Sequence, residues 1–307
     1  MKMKKRILTL ITAFLVVMLA VVGCGKKEIV VKDREGNDFT VPKKLERIIS
    51  TAPSNTEVLV ELGLADKLVA VDKYSADIPG LPKDIKLIDF ANPDAEAIVS
   101  LEPDMIIASG HNKTGNSEDP FKVAKEAGIS VAYIPSSDSI QGIYDDIMFI
   151  ADITGTKEKG QKIVDNMKSQ VNEIAKIGKT IKDKKKVYFE IGPAPNLYSF
   201  GNGTFLNEMI ELVGGENIFV DQKAWISPSE ESVIEKNPDV ILTNVNYVQD
   251  AVKDIKGREG WKNVNAVKNG QVYLIDTNSS SRPSQNVVKA LKQMAEYINP
   301  DAYAKQK

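Results

Sequence analysis

The sequence predicts an α/β protein of two lobes with parallel sheets joined by a single long helix, and three observations carry that expectation. The stretch NPDAEAIVSLEPDMII, 92–107, is answered 135 residues later by SPSEESVIEKNPDVIL, 227–242. Pro93 meets Pro228, Glu96 meets Glu231, Ile98 meets Val233, Pro103 meets Pro238 and Asp104 meets Asp239. Between the copies Ile163, Met167, Val171, Ile174, Ile177 and Ile181 recur every three or four residues among lysines and acids, the stripe of one amphipathic helix over 156–184. On either side of that helix, short apolar runs alternate with helical patterns at βαβ spacing, which calls for parallel sheets.

Each copy of the repeated phrase reads as helix, tight turn, strand. A small polar N-cap, Asn92 or Ser227, precedes a proline whose missing N–H costs nothing at the first helical position. Glu230, three residues after Ser227, would complete a capping box. Glu96 and Glu231 fall in the first turns of their helices, where the helix dipole favours a carboxylate. They read either as helix-start charges or as a two-point contact for a two-fold symmetric partner.

With 307 residues there is length for about two domains. Lys2, Lys4, Lys5 and Arg6 precede an apolar run from Ile7 to Val22, the pattern of a secretory signal over 1–23. VVGC resembles the bacterial lipobox, so Cys24 is expected to carry lipid and to anchor the chain on the outer face of the cell membrane. Removing those four positive charges from a formal net of −2 leaves about −6, which argues against a nucleic-acid partner. Cys24 is the one cysteine and His111 the one histidine. Cysteine nucleophiles and disulfides are thereby excluded, a zinc site of the usual His/Cys type cannot be filled, and neither a resident cofactor nor a catalytic group is expected.

In chain order, EIVVKDREGNDFTVP reads as a hairpin turning at 33–37, and RIIST as a buried strand. Ser54 and Glu57 have capping-box spacing at the head of a helix that ends near Gly63. The strands at 68–71, LIDF and ISVAYI complete a first lobe, 24–155. After the long helix, KVYFEIG opens a second lobe, 185–307, closed by QVYLI, a loop at 276–284 and a last helix at 285–297.

RIISTAPSNTEVLVELGLADKLVAV, SLEPDMIIAS, GNGTFLNEMIELVGGENIF, NPDVIL and WKNVNAVKNGQVYLI together resemble the ABC-transporter substrate-binding proteins that capture metal chelates, chiefly ferric siderophores, haem and cobalamin. The resemblance covers nearly the whole mature chain. It implies two Rossmann-like lobes bridged by a rigid helix, the class III periplasmic-binding-protein fold, with the chelate held between them. It also implies a permease and its ATPase as partners, with Glu96 and Glu231 at the positions that dock onto permease arginines. A monomer is expected.

Ligands of open α/β sheets bind beyond the carboxyl ends of the strands. That rule selects Ser54, Asn55, Tyr74, His111, Tyr198, Phe200, Trp225, Tyr247 and Arg282. The aromatics would wall a large, partly apolar chelate, and Arg282 would neutralise an anionic group. Trp261 reads as core. VDKYSADIP and EIGPAPNLYSFGNGTF are most similar to the cobalamin-binding branch, with ferric siderophore next; haem would want axial ligands that only His111 and the methionines could supply. An extracytoplasmic enzyme or an adhesin on the same fold are the competing readings.

Overall fold

The computed structural model describes residues 28–89, 94–112 and 119–304. The expected signal, Cys24, and the start of the first repeat at Asn92 and Pro93 lie outside them. No helix among the described residues is long and apolar enough to cross a membrane.

The chain opens on an antiparallel hairpin, β1 (Ile29–Lys32) and β2 (Asp38–Val41). Asp33 holds its turn: one carboxylate oxygen accepts the N–H groups of Glu35 and Asn37, and the other accepts that of Tyr133 in the first lobe. That lobe runs β3 (Ile48–Ser50), α1 (Pro53–Glu61), β4 (Leu68–Asp72), β5 (Lys86–Ile88), α2 (Ala95–Val99), β6 (Met105–Ser109), α3 (Lys122–Glu126) and β7 (Ser130–Ile134). Its five strands are all parallel, in the order β5-β4-β3-β6-β7. From β3 the chain steps outward to β4 and β5, then returns to β6 on the other side. A topological switch point therefore lies between β3 and β6.

Two helices follow, α4 (Ile140–Ile153) and α5 (Lys157–Gly178). The second lobe is β8 (Lys185–Glu190), β9 (Ser199–Phe200), α6 (Phe205–Leu212), β10 (Gly215–Asn217), β11 (Trp225–Ile226), α7 (Glu230–Lys236), β12 (Val240–Thr243), α8 (Ala251–Gly257), α9 (Asn265–Lys268), β13 (Val272–Leu274), α10 (Thr277–Ser281), α11 (Val287–Ile298) and α12 (Pro300–Tyr303). Its parallel sheet has the order β10-β8-β12-β13, the same sequence of moves as β4-β3-β6-β7. Its switch point lies between β8 and β12.

The repeated phrase does the same work in both lobes. Asp104 accepts the N–H groups of Glu46 and Arg47 at 2.7 and 2.9 Å, and Asp239 accepts that of Lys186 at 3.0 Å. Each aspartate thereby stitches the strand after the repeat, β6 or β12, to the start of its central neighbour, β3 or β8. Ile98 and Val233 are both fully buried, and Glu102 and Asn237 turn the chain with φ of 45° and 48°. The helices start two residues later than expected: Asp94 and Ser229 are the N-caps, accepting the N–H groups of Ala97 and Ser232. Ser227, with Pro228 after it, lies ahead of the helix and forms no capping box with Glu230.

The long helix joins the lobes through their interiors. Val164, Met167, Val171 and Ile174 of α5 belong to one buried cluster with Ile48, Met105 and Ile107 of the first sheet and Val187, Phe189 and Leu242 of the second. The helix has 22 residues, roughly 33 Å at ~1.5 Å each, and is shorter than the expected 156–184. It ends at Gly178, where a Cβ would lie 2.1 Å from the carbonyl oxygen of Leu212. Ile181, expected on the stripe, lies beyond that end against Gly214. The 14-residue α4 was not legible in the sequence; it packs beside α5, with Ala151 against Gly160.

Gly178→Ala should remove about 1–3 kcal/mol of unfolding free energy in urea, because the backbone of α6 cannot yield to a methyl group as a side chain could. Gly257→Ala, at a position with nothing within 4 Å, should be neutral or gain up to ~1 kcal/mol. Equal effects at the two sites would show that the end of α5 is not closely packed.

Candidate functional site

A cavity of about 340 Å³ lies where the lobes meet. The first lobe walls it with Ala52 to Asn55, Tyr74, Ser109 and residues 134–136, and the second with Asn278 and Ser281 to Pro283. The first group stands at the carboxyl ends of β3, β4, β6 and β7, around the first switch point. Ser54, Asn55, Tyr74 and Arg282 are thus brought together in one cavity.

The head of α1 departs from expectation. Pro53 takes the first helical position, so Ala52, extended at φ −147°, is the N-cap and has no side chain to offer. Ser54 sits inside the first turn and caps nothing. Glu57 crosses to the other lobe instead. Its carboxylate accepts from Arg282 at 3.0 Å, from Asn286 at 2.9 Å and from the Ser284 hydroxyl, and its main-chain carbonyl accepts from Gln285. Arg282 also donates to the Tyr74 carbonyl at 2.9 Å and to Asp77 at 2.8 Å. Asn278 adds a bond to Asp77 at 2.6 Å. Burial alone would raise the Asp77 carboxyl, but the bonds from Arg282 and Asn278 outweigh it and hold the group below the usual carboxylate range. Arg282, expected to meet an anionic ligand group, is shared between two carboxylates of the opposite lobe. Nothing local in the sequence pairs Glu57 with residues more than 220 positions away.

The aromatics fall into two kinds. Tyr74, Tyr198, Trp225 and Tyr247 are the exposed aromatic side chains among the described residues, from 40% to 70% exposed. Tyr198 and Trp225 stack with ring centres 6.2 Å apart and planes 15° apart, on the small antiparallel pair of β9 and β11. Phe200, expected in the pocket wall, is fully buried and meets Trp225 edge-on from beneath. It supports the wall and is not part of its face. Tyr247 follows β12 near the second switch point, where Asn244 bonds Ser280 and Ser281. His111 lies in the turn Gly110–Asn112 after β6, and its side chain is outside the described residues.

Glu96 and Glu231 are exposed, each the second residue of its helix. Bonds from its own main-chain N–H and from the Ser229 hydroxyl hold the Glu231 carboxyl below the usual range.

Two buried acids escaped the sequence reading. Asp72, at the end of β4, accepts the N–H of Tyr74 at 2.8 Å and so holds the turn that presents this aromatic. Its other oxygen has no donor among the described residues, and burial pushes the carboxyl up to about 6. Glu190, at the end of β8, pairs with Arg258 through two bonds of 2.6 and 2.7 Å. Burial raises its carboxyl despite that pairing. Arg258 lies over the fully buried Trp261 at 4.8 Å, and Trp261 donates to Glu230 at 2.7 Å.

Glu57→Ala should lower unfolding free energy by about 3 kcal/mol, since it strips a buried guanidinium of one of its two carboxylates; urea unfolding would read the loss. Asp72→Asn tests the buried acid. A folded pKa raised above the unfolded value gives stability that is complete below about pH 4 and lost as pH rises through about 6. Asn avoids that loss while still accepting from Tyr74. The variant should therefore exceed the wild type in stability at pH 7.5, with the difference vanishing near pH 4. A difference independent of pH would exclude a raised Asp72.

The profile of the periplasmic binding protein family matches residues 48–278. A relative described as an uncharacterized ABC transporter substrate-binding lipoprotein of Bacillus subtilis is 32% identical over 280 residues, 90% of this chain and 87% of its own length. The vitamin B12-binding protein of Vibrio cholerae is 29% identical over 262 residues, 84% of this chain and 90% of its own. A solved periplasmic solute-binding protein of Staphylococcus epidermidis superposes with a TM-score of 0.73 at 32% identity, covering 84% of this chain and all of that one. The shared core across two parallel sheets, the single bridging helix and these likenesses agree. The chain belongs to the periplasmic binding protein family, as an extracytoplasmic substrate-binding protein of the ABC-transporter metal-chelate class.

Proposed function

We propose that the chain, anchored through lipid on Cys24, captures a corrinoid between its lobes and delivers it to an ABC permease through Glu96 and Glu231. The observation that carries the ligand reading is electrostatic. Arg282 is the one cation among the described residues that line the cavity, and Glu57 and Asp77 already share it. A ferric catecholate or a haem with two propionates would bring negative charge to a site with no cation to spare. A corrinoid presents a broad apolar ring edged by neutral amides, which suits the exposed faces of Tyr198 and Trp225 and the hydroxyl and amide groups of the cavity. The likeness to the Vibrio cholerae protein supports the same ligand. A ferric hydroxamate, also without surplus negative charge, is the second reading. It is favoured by the likeness to the Staphylococcus epidermidis protein, which is described as a possible iron-binding protein.

The docking reading rests on position: two exposed glutamates occupy equivalent places on equivalent helices, as a contact with a paired permease requires. Thermal unfolding with cobalamin, cobinamide, haem and ferric complexes tests the ligand. A ligand at 100 times its dissociation constant adds about 2.7 kcal/mol of stability, and only the corrinoids should do so. Stabilisation by a ferric complex alone would sink the corrinoid reading. Glu96→Ala and Glu231→Ala should leave affinity unchanged, yet each should reduce uptake about two- to fivefold, the worth of one exposed charge contact. Loss of affinity instead would remove them from the docking surface.

A further inference from the structure

We propose that the head of α1, with Asn55 at its centre, is the docking point for an amide carbonyl oxygen on the rim of the chelate. The inference rests on the corrinoid reading and names the group by which such a ligand is oriented. Three donors converge there. Pro53 has no N–H, and the N–H of Thr56 is taken by the Ala52 carbonyl, so the first-turn N–H groups left without an intrahelical acceptor are those of Ser54 and Asn55. Ala52 offers no capping side chain to either. The third donor is the Asn55 side chain, which is 4% exposed, lines the cavity and has an Nδ2 without an acceptor among the described residues. A buried amide N–H₂ left in this way is destabilising unless something accepts from it.

The charge of the surroundings decides what kind of acceptor fits. The helix dipole favours an oxygen with partial negative charge at this end. A full anion would meet Glu57, two residues along the same helix, and Asp77, with Arg282 as the only cation between them. An uncharged carbonyl meets the donors and avoids that repulsion. Its dipole also aligns with that of the helix. Asn55 is therefore a specificity residue: it selects for an oxygen acceptor and against a donor or a cation.

Isothermal titration of Asn55→Asp and Asn55→Ala with cobalamin and with cobinamide tests the assignment. Cobinamide keeps the rim amides and lacks the phosphodiester. Asp at the third helical position is favoured by the dipole, so this variant should fold, with an unchanged circular dichroism spectrum. Asn55→Asp turns the donor into a carboxylate facing a carbonyl oxygen and should weaken both ligands roughly tenfold or more; Asn55→Ala should weaken both in the same direction by less. Weakening of cobalamin alone would assign the site to the phosphodiester and overturn the amide. Unchanged or tighter binding of both by Asn55→Asp, with wild type binding both, would overturn this inference while leaving the corrinoid reading intact. A wild type that binds neither corrinoid would overturn both.

Discussion

The ion pair between Glu57 and Arg282 is the contact on which the cleft depends. A bridging helix at the back of two lobes fixes their distance but leaves them free to rock about it. Glu57 removes that freedom from the front, because one carboxylate on the first lobe takes bonds from Arg282, Ser284 and Asn286 on the second. The same residue lies half a turn from Asn55 on α1, so the clasp also sets where the head of that helix stands relative to the opposite wall. It decides the electrostatics as well. Sharing Arg282 between Glu57 and Asp77 leaves no unshared cation among the described residues that line the cavity, although the sequence places an arginine there. The relation of the lobes and the sharing of that arginine both follow from one buried interaction.

Much of the frame was legible because its signals are local and said twice. The Pro-Asp pairs at 103–104 and 238–239 end a helix and begin a strand, and both aspartates reach back to the central strand of their lobe. The misreadings come from places where local rules are degenerate or partners are remote. Ser227 and Ser229 both suit an N-cap, and only the main chain shows that the second is used. Ser54 and Glu57 have the spacing of a capping box, but Pro53 moves the helix start ahead of Ser54. The partners of Glu57 lie in another lobe, where no periodicity points. Phe200 is buried because Trp225 arrives over it from β11, a strand pairing that the segment around Phe200 does not announce.

The two lobes keep one frame and differ at the ends that face the cleft. Both sheets share four strands in one order, and both turn through a left-handed residue after the repeated helix. The first lobe adds β5 at its edge and presents the uncapped head of α1 at its switch point. The second adds the β9 and β11 pair, which carries the stacked Tyr198 and Trp225. The cavity itself takes Tyr74 and the α1 head from the first lobe and Asn278, Ser281 and Arg282 from the second, so polar groups stand on both walls.

The quality of polar pairing along the strands points to the same end of each sheet. At their amino ends, Asp104 and Asp239 satisfy main-chain N–H groups that would otherwise lack acceptors. At their carboxyl ends two strands finish in buried acids. Asp72 ends β4 buried with one oxygen unpaired, and Glu190 ends β8 as a buried charge that requires Arg258. The buried side-chain atoms without a partner among the described residues are Asn55 Nδ2, Asp72 Oδ2, Tyr188 Oη and Gln285 Oε1. Asn55 lines the cavity, Asp72 holds the turn of Tyr74, Gln285 belongs to the clasp, and Tyr188 stands two residues before Glu190. Tyr188 lies in the core of the second lobe beside Phe219 and Trp261, away from the cavity lining, so the unpaired atoms are not all of one kind. Asn55 Nδ2 is thus the unpaired buried donor, among the described residues, that lines the cavity.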